Sequence, residues 1–485
     1  MRALLASCAA GLVLVASACG GGGGGALPGG ADAAPASASA FIAINTDFSS
    51  EQWRRATALF AKFSGSSDLL KRVERALRKE NVDFERDVKP AVGPEVDVVF
   101  LDFANGGNDV VGMTQPKDKA KFEALLKKGT TPGFATEVQG WTVFADSQAK
   151  LDRFKRAREN GSLADERAFK DAVGKLDESS AVRAYVRGRD VQTALDAALV
   201  RSGAPPNLTH AIGTLESIAA SASAEPAGVR LDGGLGIEPA LKPELFAATL
   251  ASQLPSGALL YAALNRLDRP LDAVLALVAK SNPKFESQLG QVEAVLGLSV
   301  ERDIDPLLRS ESALAVYPAT PIPAIVYLLK ISDEDKVRSL LDRLTAIARF
   351  AGGTKTSTHE MGGVQIQELQ FVKQGFSLFT AVFNGKLLVT NRHDAARAAI
   401  EGGERLSADP LYQQARRDAA VPDQTAGFVY LNLRDGLPAA YAFAERRGSV
   451  VPQVARENTK PLETALLYAV PDGNRLRTAG FVTIK

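Results

Sequence analysis

An internal echo restricts the fold of this sequence more than any other feature. Phe84-Glu85-Arg86-Asp87-Val88-Lys89-Pro90 returns, 216 residues later, as Val300-Glu301-Arg302-Asp303-Ile304-Asp305-Pro306. Four further segments match in the same order. Ala40-Phe41-Ile42-Ala43-Ile44-Asn45 answers to Leu260-Tyr261-Ala262-Ala263-Leu264-Asn265, each a candidate first strand. Thr142-Val143-Phe144-Ala145-Asp146 answers to Leu387-Leu388-Val389-Thr390-Asn391. Residues 165–173 answer to 409–417, with Phe169 opposite Tyr412, and residues 216–238 answer to 463–485 as hairpins. The offset drifts from 216 to 247, which predicts insertions in loops. Collinear matches of this kind predict two tandem copies of one unit, at 41–238 and 256–485. The segment between them, 239–255, carries a helical pattern from 241 to 254, which predicts copies packed against each other.

Periodicity sketches the unit. After the first strand come two helices, near 51–63 and 68–79; in the second, Leu70, Val73 and Leu77 share a face. In the other copy Phe285, Leu289, Val292 and Leu296 do the same. Strands follow at 95–103 and 109–113, then an amphipathic helix at 117–128, matched by 333–350. Strands at 133–138 and 141–145, a helix, a strand, a helix and a hairpin complete it; in the second copy the hairpin turns at Pro471-Asp472-Gly473-Asn474. Strands that come in runs, joined by short turns, predict an α+β fold on antiparallel sheet. Strict alternation of strand and helix would predict a parallel one.

The N-terminus predicts an address. Met1 and Arg2 precede residues 3–18, a run without charge and shorter than the roughly 20 apolar residues that span a bilayer, so residues 1–18 read as an export signal. Leu12-Val13-Leu14-Val15-Ala16-Ser17-Ala18 before Cys19 resembles the bacterial lipobox, whose cysteine takes lipid on sulfur before cleavage. Ala16 stands where a leucine is usual, and Ala16-Ser17-Ala18 also satisfies ordinary signal peptidase, which would cut the same bond. Gly20 to Gly25 are all glycine, and 26–40 is almost entirely Ala, Gly, Pro and Ser, so 19–40 reads as a flexible tether beyond a lipidated Cys19.

Composition narrows the remainder. With 57 basic and 56 acidic residues the chain is near neutral, which argues against nucleic acid as a partner. The two cysteines are Cys8, lost with the signal, and Cys19; an exported body would then have no disulfide, cysteine zinc site or thiol nucleophile. No later stretch reads as a membrane span, so lipid on Cys19 is the expected membrane attachment.

The string Asp83-Phe84-Glu85-Arg86-Asp87-Val88-Lys89-Pro90, the following Val92-Gly93 and a valine-rich strand also resemble the bacterial domain-of-unknown-function 3352 family, from about Phe41 onward. The resemblance implies an exported or membrane-anchored protein without an assigned activity. Arg309 and Ser310, where the first copy has Gly93 and Pro94, depart from the pattern.

Chemical motifs are sparse. Glu85-Arg86-Asp87 and Glu301-Arg302-Asp303 could pair carboxylates around an arginine, but a recurring charged string flanked by apolar residues reads better as a structural turn. None of His210, His359 and His393 has a histidine or carboxylate at a metal-ligand spacing; the adjacent pairs His359-Glu360 and His393-Asp394 point apart, so metal binding is not expected. Gly233-Gly234-Leu235-Gly236 follows a strand but leads into another strand, without a phosphate-binding lysine. Trp53 reads as core with Leu59 and Phe60, and Trp141 as a hairpin packing residue. No catalytic, cofactor or metal residue is assigned. The function expected is a non-catalytic, membrane-anchored envelope lipoprotein outside the cytoplasm, on the cell membrane or on the outer membrane of a diderm host. It would bind an envelope protein or ligand. The alternatives are a carrier or sensor of an apolar molecule held between the copies, and a hydrolase assembled from scattered residues.

Overall fold

A computed structural model describes residues 26–485, except 104–106, 129–131, 203–207, 239–242, 283, 351–352 and 474. The expected signal, Cys19 and the glycine run lie outside the described residues. The first half of the chain supplies β1 (Ala40–Asn45), β2 (Glu95–Phe100), β3 (Val110–Thr114), β4 (Phe134–Val138), β5 (Trp141–Ala145), β6 (Val182–Arg187), β7 (Thr214–Glu225) and β8 (Gly228–Glu238). Their spatial order is β4-β5-β3-β2-β1-β6-β7-β8. The second half supplies β9 (Leu260–Leu264), β10 (Ser312–Tyr317), β11 (Ala324–Lys330), β12 (Thr354–Met361), β13 (Val364–Phe371), β14 (Phe376–Phe383), β15 (Lys386–Thr390), β16 (Gly427–Asn432), β17 (Leu462–Asp472) and β18 (Arg475–Ile484). They run β12-β13-β14-β15-β11-β10-β9-β16-β17-β18, the order of the first half with the β12–β13 hairpin added at the rim. The insertion that shifts the offset is thus a folded hairpin and not a loop. Its strand Thr354–Met361 is polar along nearly its whole length because it ends the sheet and buries only Met361, its last residue.

The halves join into one 18-stranded sheet, because β8 pairs with β18 from Gly236–Arg475 to Gly228–Thr483. All the described strand pairings are antiparallel, and helices pack on the sheet: the fold is α+β.

Strand alternation positions two cores. In the first, Phe41 and Tyr185 point from β1 and β6 at Phe169 of the Arg167–Val173 helix, with Phe41 and Phe169 edge-to-face at 5.7 Å. Leu151 and Phe154 of the Gln148–Arg158 helix complete it. In the second, Tyr261, Phe428 and Tyr430 surround Tyr412 of the Pro410–Asp418 helix, and the cluster extends through Leu466 to Phe481.

Residues 28–38, expected as slack tether, are instead part of the first core. Gly29–Asp32 form a 3-10 turn, and Ala31, Ala33, Ala34 and Ala38 are at most 1% exposed. Ala36 N donates to Gly161 O and Leu163 N to Ala34 O, at 3.0 and 2.9 Å. The composition argument fails because alanine loses no side-chain entropy on burial. A backbone strap can therefore order with little apolar area, provided a groove for it already exists. The same correction applies to 239–255. Among its described residues, 243–255, the helical pattern is realised only as the short turn Leu250–Ser252; Phe246 bridges to Thr425, and Leu250 and Leu254 are core residues. Pro35 bridges to Ser162 as Pro255 does to Arg405, so each half is laced by a strap ahead of its first strand.

At the seam Asp232 opposes Ala479, is 3% exposed and lies 3.6 Å from the Arg477 guanidinium. Burial, only partly offset by Arg477 and then Arg230, pushes its carboxyl up to about 6. A raised acid gives stability that is complete below its unfolded value near 4 and is lost as pH rises through about 6. Asp232→Asn is therefore expected to stabilise the fold at pH 8 by up to roughly 3 kcal/mol. It should also flatten the change in urea midpoint between pH 4 and pH 7.

Candidate functional site

The candidate site is a cleft of about 520 Å³ lined by Arg189, Gln192, Thr193, His210, Thr214, Glu216 and Glu238. It forms where the Gly188–Arg201 helix leaves β6 and passes the starts of β7 and the end of β8. Gly188 makes that junction possible: a Cβ there would lie 2.5 Å from the Leu215 carbonyl oxygen, a backbone atom that cannot yield. Gln192, 3% exposed, bridges the turn into β7 by donating to Gly213 O at 2.8 Å and accepting from Leu215 N at 3.0 Å. Across the opening Arg189 pairs with Glu216 at 2.7 Å. Asp196 accepts from Thr209 N at 3.1 Å and holds His210 Nδ1 at 3.2 Å, which fixes the imidazole at the wall. The lining thus offers donors and acceptors of both signs and suits a polar ligand. The Thr193 hydroxyl is engaged with Arg189 O at 2.9 Å, so this hydroxyl is not paired with His210 as a nucleophile with its base.

A second polar cluster sits on the added hairpin. Glu368 accepts from Ser357 and Ser377 at 3.0 and 2.8 Å and meets His359 Nε2 at 2.9 Å. His393 stacks edge-on against His359 at 5.4 Å. The His359 bond, then that of Ser377, holds the Glu368 carboxyl below its ordinary range. Ser357 and Glu368 both meet the same nitrogen of His359, whereas an acid–base relay needs the acid on the nitrogen opposite the nucleophile. The arrangement is a hydrogen-bonded knot around a carboxylate. Sequence reading gave His359 no partner beyond its neighbour because Glu368 meets it across the Gly362-Gly363 turn. The signal that would have revealed it is the register pairing Ser357 with Glu368.

The remaining sequence candidates are spread across the fold. Asp87 and Asp303 each close a five-residue turn, accepting at 2.8 Å from the backbone N–H of Asp83 and Ser299. A base from a later helix reaches each turn: Lys128 lies 2.7 Å from Asp87 and Arg343 3.4 Å from Asp303. The Arg86 hydrogen bond first, and Lys128 after it, hold Asp87 well below the carboxylate range; for Asp303 the Ser299 backbone bond leads. Gly234 lies under the Arg475 guanidinium and Gly236 against Ser217, so the glycine run shapes the seam. Trp141 is buried in the first core, and Trp53 is half-buried on Phe48 with its Nε1 donating to Asn45 O at 2.7 Å. Among the described residues no three of His, Cys, Asp and Glu converge as metal ligands, and no helix is long and apolar enough to cross a membrane.

A family model described as a protein of unknown function, DUF3352, matches residues 114–453. The match begins beyond the string at 83–90 on which the sequence resemblance rested. Among solved structures, crystal form IV of TP0453 is similar with a TM-score of 0.27 and 11% identity, over 49% of this chain and 81% of that one. Crystal form I gives a TM-score of 0.26 and 12% identity, over 49% and 79%. No curated protein matches the sequence.

Proposed function

We propose, for a chain that belongs to the DUF3352 family of proteins of unknown function, the role of a non-catalytic envelope lipoprotein: acylated at Cys19, held at a membrane surface outside the cytoplasm, and binding an apolar ligand or envelope partner. The uncharged run at 3–18, the lipobox-like residues before Cys19 and the glycine run after it support the anchor. The two halves are taken as copies of one unit. In support, Phe41 and Tyr261, Phe169 and Tyr412, and Pro35 and Pro255 hold matching places in cores and straps.

The binding role rests on apolar surface left open on the second half. The helix Phe285–Leu296 buries none of its residues. Val274 and Val292, on packed neighbouring helices, are 46% and 52% exposed, and Val295 84%. Val429, between Phe428 and Tyr430 on β16, points away from the tyrosine core and is 38% exposed, although its strand is interior to the sheet. Open apolar surface of this kind marks a binding face in soluble proteins.

Two measurements test the reading. Radioactive fatty acid should label the wild type and not Cys19→Ala; label retained by the variant would refute the anchor. Native mass spectrometry after gentle detergent extraction should find a co-purifying mass on the wild type that is lost in Val292→Lys/Val295→Lys. A bare wild type, or a mass indifferent to these changes, would remove the binding face.

A further inference from the structure

Asp97, on β2, is the one carboxylate among the described residues whose two oxygens are both buried without a donor, the Glu95 carboxyl of its own strand being the side chain that engages it. It is 0% exposed. What seals it is the strap. Gly30 lies directly over the carboxyl: a Cβ there would overlap Asp97 Oδ2 and come to 3.0 Å from Met113 Cε. We propose that residues 26–38 are a displaceable strap, latched while Asp97 is neutral and released when its carboxyl ionises.

The second half supplies the control. Ala43 pairs with Asp97 where Ala263 pairs with Ala313, so the fold accepts alanine at this place. In the second strap Leu250, 1% exposed and in the same core as Ala313, holds the place of Gly30, and Leu250 N donates to Glu311 Oε1 at 2.8 Å. In the first half Gly30 N donates to Glu95 Oε1 at 3.3 Å. The backbone anchor is kept, but an apolar plug is exchanged for glycine over an acid. An acid that the architecture does not need, placed under the one residue type that fits above it, makes this strap sensitive to charge where its counterpart is not.

Besides the backbone bonds of Ala34 and Ala36, the strap is held by polar side-chain anchors. Arg183 donates to Ala26 O at 2.6 Å, Ala26 N to Glu178 Oε2 at 3.1 Å and Arg158 to Asp32 O at 3.1 Å, while Arg187 reaches Ala36 O. The charged groups that act on Asp97 are Glu95 on its own strand and Arg183 on β6, which has Asp177 and Glu178 beyond it. Burial first, then the Glu95 charge, raise the Asp97 carboxyl well above its ordinary range, and Arg183 offsets this only in part. Docking is therefore favoured at low pH and weakens as pH rises through the raised value. Ionisation calls for water at the carboxylate, and Gly30 stands over it. A released strap adds roughly 40 Å of reach at full extension to whatever precedes it. The latch is a property of the folded body, so its test is independent of lipidation at Cys19.

Hydrogen exchange of the strap amides, corrected for intrinsic rates, reads the latch directly on the full mature chain. From pH 5.5 to 8.5 the protection of residues 31–38 should fall at least tenfold in the wild type, while that of the 148–158 helix falls less. Asp97→Asn should keep the strap protected at both pH values, and Gly30→Ala should leave it open at both. Asp97→Ala, which copies Ala313, serves the same end should the Asn variant not fold. Wild-type protection that ignores pH, or an Asp97 variant that keeps the wild-type dependence, would overturn the proposal.

Discussion

Phe481→Ala is expected to lower stability by about 3–5 kcal/mol, read from the shift in urea midpoint. Phe481 is 2% exposed, lies under the Arg230 guanidinium at 5.2 Å and ends a row that crosses the second core from Tyr430 through Leu466. The corresponding row of the first half is Tyr185, Ala219 and Gly234, and there the Arg475 side chain occupies the space above the glycine. A small residue at this place is thus tolerated where an arginine folds over it. On the Phe481 side Arg230 is committed to Glu225 and to Asp418 O, the latter at 3.0 Å, so it cannot collapse into the void. The truncated side chain would leave an unfilled cavity beside Leu466. A loss below about 1 kcal/mol would mean that the seam repacks freely.

The second large effect is expected at Gly228. A Cβ at this residue would overlap the carbonyl oxygen of Val482, and φ is +159°. The obstacle is backbone inside the β8–β18 ladder, where Gly228 pairs with Thr483 and Val229 with Val482. Gly228→Val can be accommodated only by parting the strands that join the halves, at a cost of about 3 kcal/mol or more. Its signature, besides a lower midpoint, should be faster proteolysis at the 225–228 turn. Gly473 is the control: φ is +63° but a Cβ would meet nothing within 4 Å, so Gly473→Asn should change the midpoint little.

What the sequence made legible was periodic. Phe41 and Ala43 alternate into the core, the Glu334–Phe350 helix carries its apolar stripe, and the hairpin read at 471–474 has two long arms, so the α+β class and antiparallel sheet could be read directly. What escaped lacked periodicity. Residues 28–38 have too little side chain for any pattern, and their order comes from the groove between β2, β5 and the 148–158 helix. Thr354–Met361 has polar residues on both faces, so the hairpin was invisible until its register with Val364–Phe371 was known. The candidate site escaped for a related reason. Its walls come from 189–193, 210–216 and 238, brought together by strand pairing and by one close approach at Gly188. His210 was noticed, but Asp196, which orients it, lies more than three helical turns away along the chain.

The seam between β8 and β18 also governs how the molecule assembles. Its partners lie more than two hundred residues apart, so the ladder closes only after a large loop-entropy cost and late among the sheet's contacts. Until then Gly228–Glu238 presents an eleven-residue unpaired edge, rich in glycine and without proline. The β17–β18 hairpin of another chain offers that edge the same register. Hairpin exchange between two chains is therefore the misassembly this architecture invites, and the concentration at which chains refold decides between a closed monomer and a swapped dimer.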